Sequence, residues 1–188
     1  AAMRQRGLDA LLLFRQESMY YLTGYDTFGY VFFQTLVLTA DGRMALLTRS
    51  PDLRQATFTS VVEDVRIWTD GEDANPALDL KGILAEFGLA GGKLGVEYEA
   101  YGLTARNGKR LDAALTGSAT LEDASDLVTR LRVVKSEAEI AYVRKAAALA
   151  DMAWDAAVRT ATPGAFEGDI LAAMHGEIFR GGGDDPSN

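Results

Sequence analysis

Cysteine is absent from these 188 residues. That excludes disulfide bonds, thiolate metal sites and a cysteine nucleophile, and it fits a reducing compartment, so a cytoplasmic location is expected. Positive charge is also scarce. Lys and Arg total 19 against 27 Asp and Glu, a net charge of -8. Such a chain repels phosphate backbones, and no nucleic-acid partner is expected. Long apolar runs are missing too. None exceeds the length of Ala10 to Phe14, far short of the roughly 20 residues that a spanning helix needs, so no membrane partner is expected. No Gly-Lys-Ser/Thr occurs, and Gly91-Gly92 and Gly181 to Gly183 match neither a phosphate-binding loop nor a dinucleotide fingerprint. Internal repeats and low-complexity tracts are likewise absent.

What is present is ordinary for a globular protein: 48% hydrophobic and 24% charged residues. Ala1 to Arg6 reads as the end of a helix closed by Gly7, and Leu8 to Phe14 as a strand buried on both faces. Glu17 to Leu22 is a brief helix ending at Gly24. Tyr30 to Thr39 is β-branched and aromatic, hence a strand. Asp41-Gly42 signals a hairpin returning through Arg43 to Thr48. Pro51 opens a helix to about Thr59, and Val65 to Thr69 is a strand. Pro76 to Phe87 is a helix closed by Gly88, with Leu78, Ile83, Leu84 and Phe87 inward. Leu94 to Tyr98 (strand), Leu103 to Leu115 (helix) and Ala119 to Glu122 (strand) follow, after which Ser125 or Asp126 caps a further helix. This alternation predicts a three-layer α/β/α domain with a mixed sheet over residues 1–125.

Residues 126–188 then form a connector and two helices. Ser136 and Glu139 make a capping box. Ile140, Val143, Ala147, Ala150, Trp154, Ala157 and Ala161 follow in steps of three and four, one apolar stripe. Thr162-Pro163-Gly164 breaks that helix, and Phe166 to Phe179 is the second. Two striped helices bury themselves poorly alone. With no initiator methionine before AAMRQRG and a final GGGDDPSN where a strand ought to follow, the chain reads as a fragment whose partner sheet is missing.

The run LRVVKSEAEIAYVRKAA, Leu131 to Ala147, resembles the hinge between the two domains of the creatinase/prolidase family, the pita-bread hydrolases. There an arginine, a Lys-Ser pair, an acidic-isoleucine pair and a later arginine open the catalytic half. GLDALLLFRQESMYYLTGYD, Gly7 to Asp26, resembles the first strand and turn of the family's amino-terminal domain. Two motifs in the family's order support each other. The resemblance implies a creatinase/prolidase-type amino-terminal domain and the truncated start of a pita-bread catalytic domain. The whole protein is then a Xaa-Pro aminopeptidase or dipeptidase acting on short proline-containing peptides as a homodimer. Two divalent metal ions (Mn, Co or Zn), held in the catalytic half by two aspartates, a histidine and two glutamates, would activate a bridging water. The segment itself is expected to be inert, serving dimerisation and substrate access. The same resemblance leaves open a creatinase- or ectoine-hydrolase-like hydrolase of small amidino or cyclic substrates, creatinase being metal-free, and a non-catalytic pita-bread binding module.

No metal ligand is placed on this segment. His175 with Asp184 and Asp185 is read as a helix-surface histidine and a solvated loop, because adjacent aspartates point apart and three glycines leave them unheld. Glu97 and Glu99 alternate on one strand and face the same way. They read either as a general acid–base pair or, by preference, as solvated carboxylates or acceptors for the amides of the next turn. Of 8 Phe, 7 Tyr and 2 Trp, seven fall between Tyr20 and Phe33. Strand packing accounts for some of them. The glycine-flanked loop from Gly24 to Gly29 is harder to assign to a core. In relatives the amino-terminal domain of one subunit reaches over the partner's active site. The resemblance therefore implies that Tyr25, Asp26, Phe28 and Tyr30 line a substrate pocket across a dimer.

Overall fold

The computed structural model describes residues 1–184. The chain divides into two compact units, Ala1–Val133 and Val134–Asn188.

The first unit is built on a six-stranded mixed sheet. Its strands are β1 (Ala10–Leu13), β2 (Thr35–Thr39), β3 (Met44–Arg49), β4 (Val65–Trp68), β5 (Lys93–Val96) and β6 (Thr120–Asp123), in the order β4-β3-β2-β1-β5-β6. The β1–β2 and β2–β3 pairs are antiparallel, and the rest are parallel. Asp41 and Gly42 make the β2–β3 turn, with Gly42 in the left-handed region at φ 99°, which costs a glycine little.

Both faces of the sheet are covered, giving the three layers expected. Ala10, Leu12 and Phe14 point to a core shared with α4 (Pro76–Glu86) and α5 (Ala105–Leu115). Leu11 and Leu13 point the other way, into a core with α2 (Gln16–Thr23), α3 (Leu53–Thr59) and α6 (Leu127–Val133). A period of two on a strand buried on both sides explains why β1 reads as an unbroken apolar run. A short helix, α1 (Ala2–Gln5), precedes it and closes at Gly7, φ 63°.

Some details differ from the sequence reading. The strand expected over Tyr30 to Thr39 starts only at Thr35. Phe28–Val31 is instead a 3-10 turn, begun when the Thr27 side chain accepts the Gly29 amide at 2.9 Å. The helix expected from Pro51 begins as a 3-10 turn, Ser50–Asp52, before α3. On α4 Leu80 is buried while Leu78 faces solvent, so the stripe lies a little round the helix from its expected place.

The second unit is a helical hairpin of α7 (Glu137–Thr160) and α8 (Glu167–Arg180). The capping box at its start is formed: the Ser136 amide donates to Glu139 Oε2 at 2.8 Å and the Glu139 amide to Ser136 Oγ at 3.3 Å. The residues of α7 buried in the hairpin are Ala153 and Ala156, which lie beside the stripe read from the sequence. Small side chains let two helices approach closely, and the bulkier Ile140, Val143 and Trp154 remain exposed.

Candidate functional site: the aromatic loop at one end of the sheet

The strand directions place β1, β3, β4, β5 and β6 so that all five finish at one end of the sheet, where β2 begins. Open α/β sheets bind ligands at such carboxyl ends. The loop from Gly24 to Gln34 lies across this end. Gly24, φ 80°, ends α2, and a Cβ there would crowd the Thr59 carbonyl at 2.7 Å. Glycine is required twice over, by conformation and by space.

Beyond Gly24 the loop is held from below. Thr27 Oγ1 donates to Asp52 Oδ1 at 2.5 Å, and Gln34 Nε2 donates to Asp52 Oδ2 at 3.3 Å and to the Gly29 carbonyl at 2.8 Å. The Trp68 indole donates to the Phe33 carbonyl at 2.9 Å, and the Phe33 ring packs edge-on against Phe14. The Arg49 guanidinium stacks 3.7 Å from the Phe32 ring centroid and donates to Asp70 at 3.2 Å. Above this bed Phe28 is 77% exposed, and Tyr30 meets the 78%-exposed Tyr101 edge to face at 5.9 Å. Exposed aromatics grouped on a rigid support are the usual substance of a recognition surface.

Of the four residues expected to line a pocket, Asp26, Phe28 and Tyr30 are on the surface. Tyr25 is not. It is wholly buried, its hydroxyl donating to Gln34 Oε1 at 2.5 Å and lying 3.1 Å from Thr48 Oγ1. Burial pushes that phenol up to about 12. The ring belongs to the core because α2, ending at Gly24, turns the chain back over β2 and β3. Tyr25 therefore supports the loop instead of offering it a surface. Asp52, Gln34, Arg49 and Tyr101 complete the arrangement. Nothing in their local sequence sets them apart, since each acts through a partner far along the chain.

The two glutamates at the end of β5 part company. The strand stops at Val96, so the alternation that would point both one way does not persist. Glu97 is fully buried. Its Oε2 accepts the amides of Phe14 and Arg15, each at 3.0 Å, and its Oε1 the Ser18 hydroxyl at 2.6 Å. Burial raises its carboxyl above the ordinary range, against the opposing pull of Ser18 and the two amides. Glu99 lies at the surface, 2.5 Å from the Arg15 guanidinium. No acid–base pair is assembled. The preferred reading holds for Glu97 in a modified form: the amides it accepts belong to the turn after β1, not to its own.

An open cleft of about 670 Å³ lies beside these groups, lined by Arg6, Arg15, Glu99, Asp123, Asp126 and Arg130 among others. Each guanidinium there already holds a carboxylate: Arg15 with Glu99, and Arg6 and Arg130 with Asp126 at 3.2 and 2.8 Å. In the helical hairpin His175 lies half-buried, edge-on to Phe179, and Asp184 is exposed, while Asp185 is outside the described residues. Among the described residues no three His, Cys, Asp or Glu side chains are grouped so as to hold a metal ion. The two-metal site implied by the resemblance does not fit them.

The profile of the creatinase/prolidase N-terminal domain matches residues 1–134. The chain belongs to the creatinase/prolidase family. A Sinorhizobium fredii protein described as an uncharacterized hydrolase/peptidase, y4tM, is 32% identical over 180 residues, 92% of this chain and 46% of the relative. Creatinase from a Bacillus species is 29% identical over 177 residues (93% and 41%), and ectoine hydrolase from Halomonas elongata 27% over 184 (94% and 41%). The chain thus spans about half the length of the curated relatives it matches. The fold is that of a dipeptidase from Pyrococcus horikoshii, with a TM-score of 0.72 at 24% identity over 95% of this chain and 48% of that one. No helix among the described residues is long and apolar enough to cross a membrane.

Proposed function

We propose that this creatinase/prolidase chain is the access-controlling part of a hydrolase that cleaves next to proline in short peptides, working as a cytoplasmic homodimer. The observation that carries the reading is the aromatic loop. Phe28 and Tyr30 stand exposed on a firmly bonded bed at the carboxyl end of the sheet, as a surface meant to meet another molecule would. In this reading Asp26, Phe28 and Tyr30 border the substrate pocket of the partner subunit, and Tyr25 holds them up from below. The dinuclear metal centre (Mn, Co or Zn) belongs to residues other than those described. This stretch does no bond-breaking itself.

A second reading has a specific observation in its favour. Two of the relatives reported above are named creatinase and ectoine hydrolase, so a small amidino or cyclic solute is the alternative substrate. Assaying the whole protein on Ala-Pro, creatine and ectoine, with and without a chelator, separates the two. Cleavage of Ala-Pro that a chelator abolishes is the expected result. Turnover of creatine or ectoine with none of Ala-Pro gives the second reading. Cleavage of Ala-Pro by the 188-residue chain alone would contradict the assignment of an access role.

A further inference from the structure

The connection after β3 carries two residues, Arg49 and Asp52, that grip the aromatic loop at different points. Arg49 covers the Phe32 ring, and Asp52 bonds both ends of the loop through Thr27 and Gln34. Asp52 is 6% exposed. A carboxylate is costly to bury, and this one lies under the loop with its hydrogen bonds aimed at it. Gly29 lies directly above. A Cβ on Gly29 would overlap the Asp52 carboxylate and the Gln34 amide. Its φ is not positive, so space alone demands glycine there. From the other side the chain at Gly102 is so close that a Cβ would overlap the Phe32 carbonyl and lie 3.2 Å from that of Tyr30.

We propose that Asp52 is a positioning residue that presets the loop Thr27–Gln34, so that Phe28 and Tyr30 are presented to substrate in one arrangement. This rests on the reading that the loop borders the substrate pocket. The physical gain is preorganisation. A loop already ordered loses less conformational entropy when ligand arrives, so binding is strengthened without any new contact. Asp52 would therefore act on binding of substrate and leave the chemical step alone.

The test has two arms. In the 188-residue chain, amide exchange is compared for the natural sequence, Asp52→Asn and Thr27→Val, the second removing the hydroxyl that reaches Asp52 and also accepts the Gly29 amide, so that Phe32 is its readout. Exchange at Gly29 and Phe32 should quicken about tenfold, with the amides of β1 unchanged. In the whole protein, KM should rise about tenfold in Asp52→Asn with kcat retained, on whichever of Ala-Pro, creatine or ectoine it turns over. Phe28→Ala is the comparator. Exchange that quickens throughout β1, or nowhere, overturns the inference. So does a KM raised by Phe28→Ala but not by Asp52→Asn. A KM unmoved by Phe28→Ala removes the pocket reading itself, and with it any part for Asp52 in substrate binding.

Discussion

The Glu97 carboxylate accepts the backbone amide of Phe14 at 3.0 Å, joining the ends of β5 and β1 across 83 positions of sequence. With the Arg15 amide and the Ser18 hydroxyl on the same carboxylate, one buried side chain fixes where β1 ends and α2 begins.

The pH dependence follows from its raised carboxyl. The folded state holds the proton more tightly than the unfolded chain, so the stability contributed by Glu97 is complete below the ordinary value of 4.5 and falls as pH rises through the higher folded value. Glu97→Gln, a neutral mimic, lacks this loss. In urea titrations of the 188-residue chain, the stability of Glu97→Gln relative to the natural sequence should rise as pH climbs above 4.5. A difference that is flat, or that runs the other way, rules the account out.

Two glycines should respond oppositely to alanine. At Gly102 a Cβ would strike the Phe32 carbonyl, a backbone atom that cannot swing away. A loss of about 1–3 kcal/mol is expected, as for overpacking. Gly82 lies inside α4 with open space around its Cβ position. Alanine there should stabilise by about 0.5–1 kcal/mol, because glycine loses more backbone freedom in a helix. Denaturation midpoints of both variants check the signs.

Ser136→Ala removes the hydroxyl that accepts the Glu139 amide and donates to Glu139 Oε2, while the backbone amide at 136 keeps its bond to that carboxylate. The cost expected of a lost N-cap is about 1 kcal/mol, confined to the first turn of α7. Amide exchange should quicken at Glu139 and Ile140 while Ala153 and Ala156 keep their protection. Equal quickening along the whole helix would mean that the cap does more than hold its own turn.

The legible features were local ones. The Asp41-Gly42 turn, the stop at Gly88 and the box at Ser136 and Glu139 each depend on residues within about four positions of one another, and each is formed. The aromatic loop was visible as a density of rings between glycines. Which of its rings faces outward was not, because Tyr25 is drawn inward by Gln34 and Thr48, 9 and 23 positions away. On α7 the apolar pattern permitted two neighbouring stripes. Alanines 153 and 156 are buried in the hairpin, where small residues allow close packing, and Trp154 on the stripe read from the sequence is exposed.

By itself the amino-acid sequence determined the order of helices and strands, their turns and caps, and membership of the creatinase/prolidase family, since these follow from short-range periodicity, capping and motif. Tertiary structure alone decided the strand order, the burial of Glu97, and the grouping of Thr27, Gly29, Gln34 and Asp52 beneath the exposed rings. Those depend on which strands lie side by side. Hydrogen bonds spanning 18 to 83 residues leave no periodic trace in the chain that makes them.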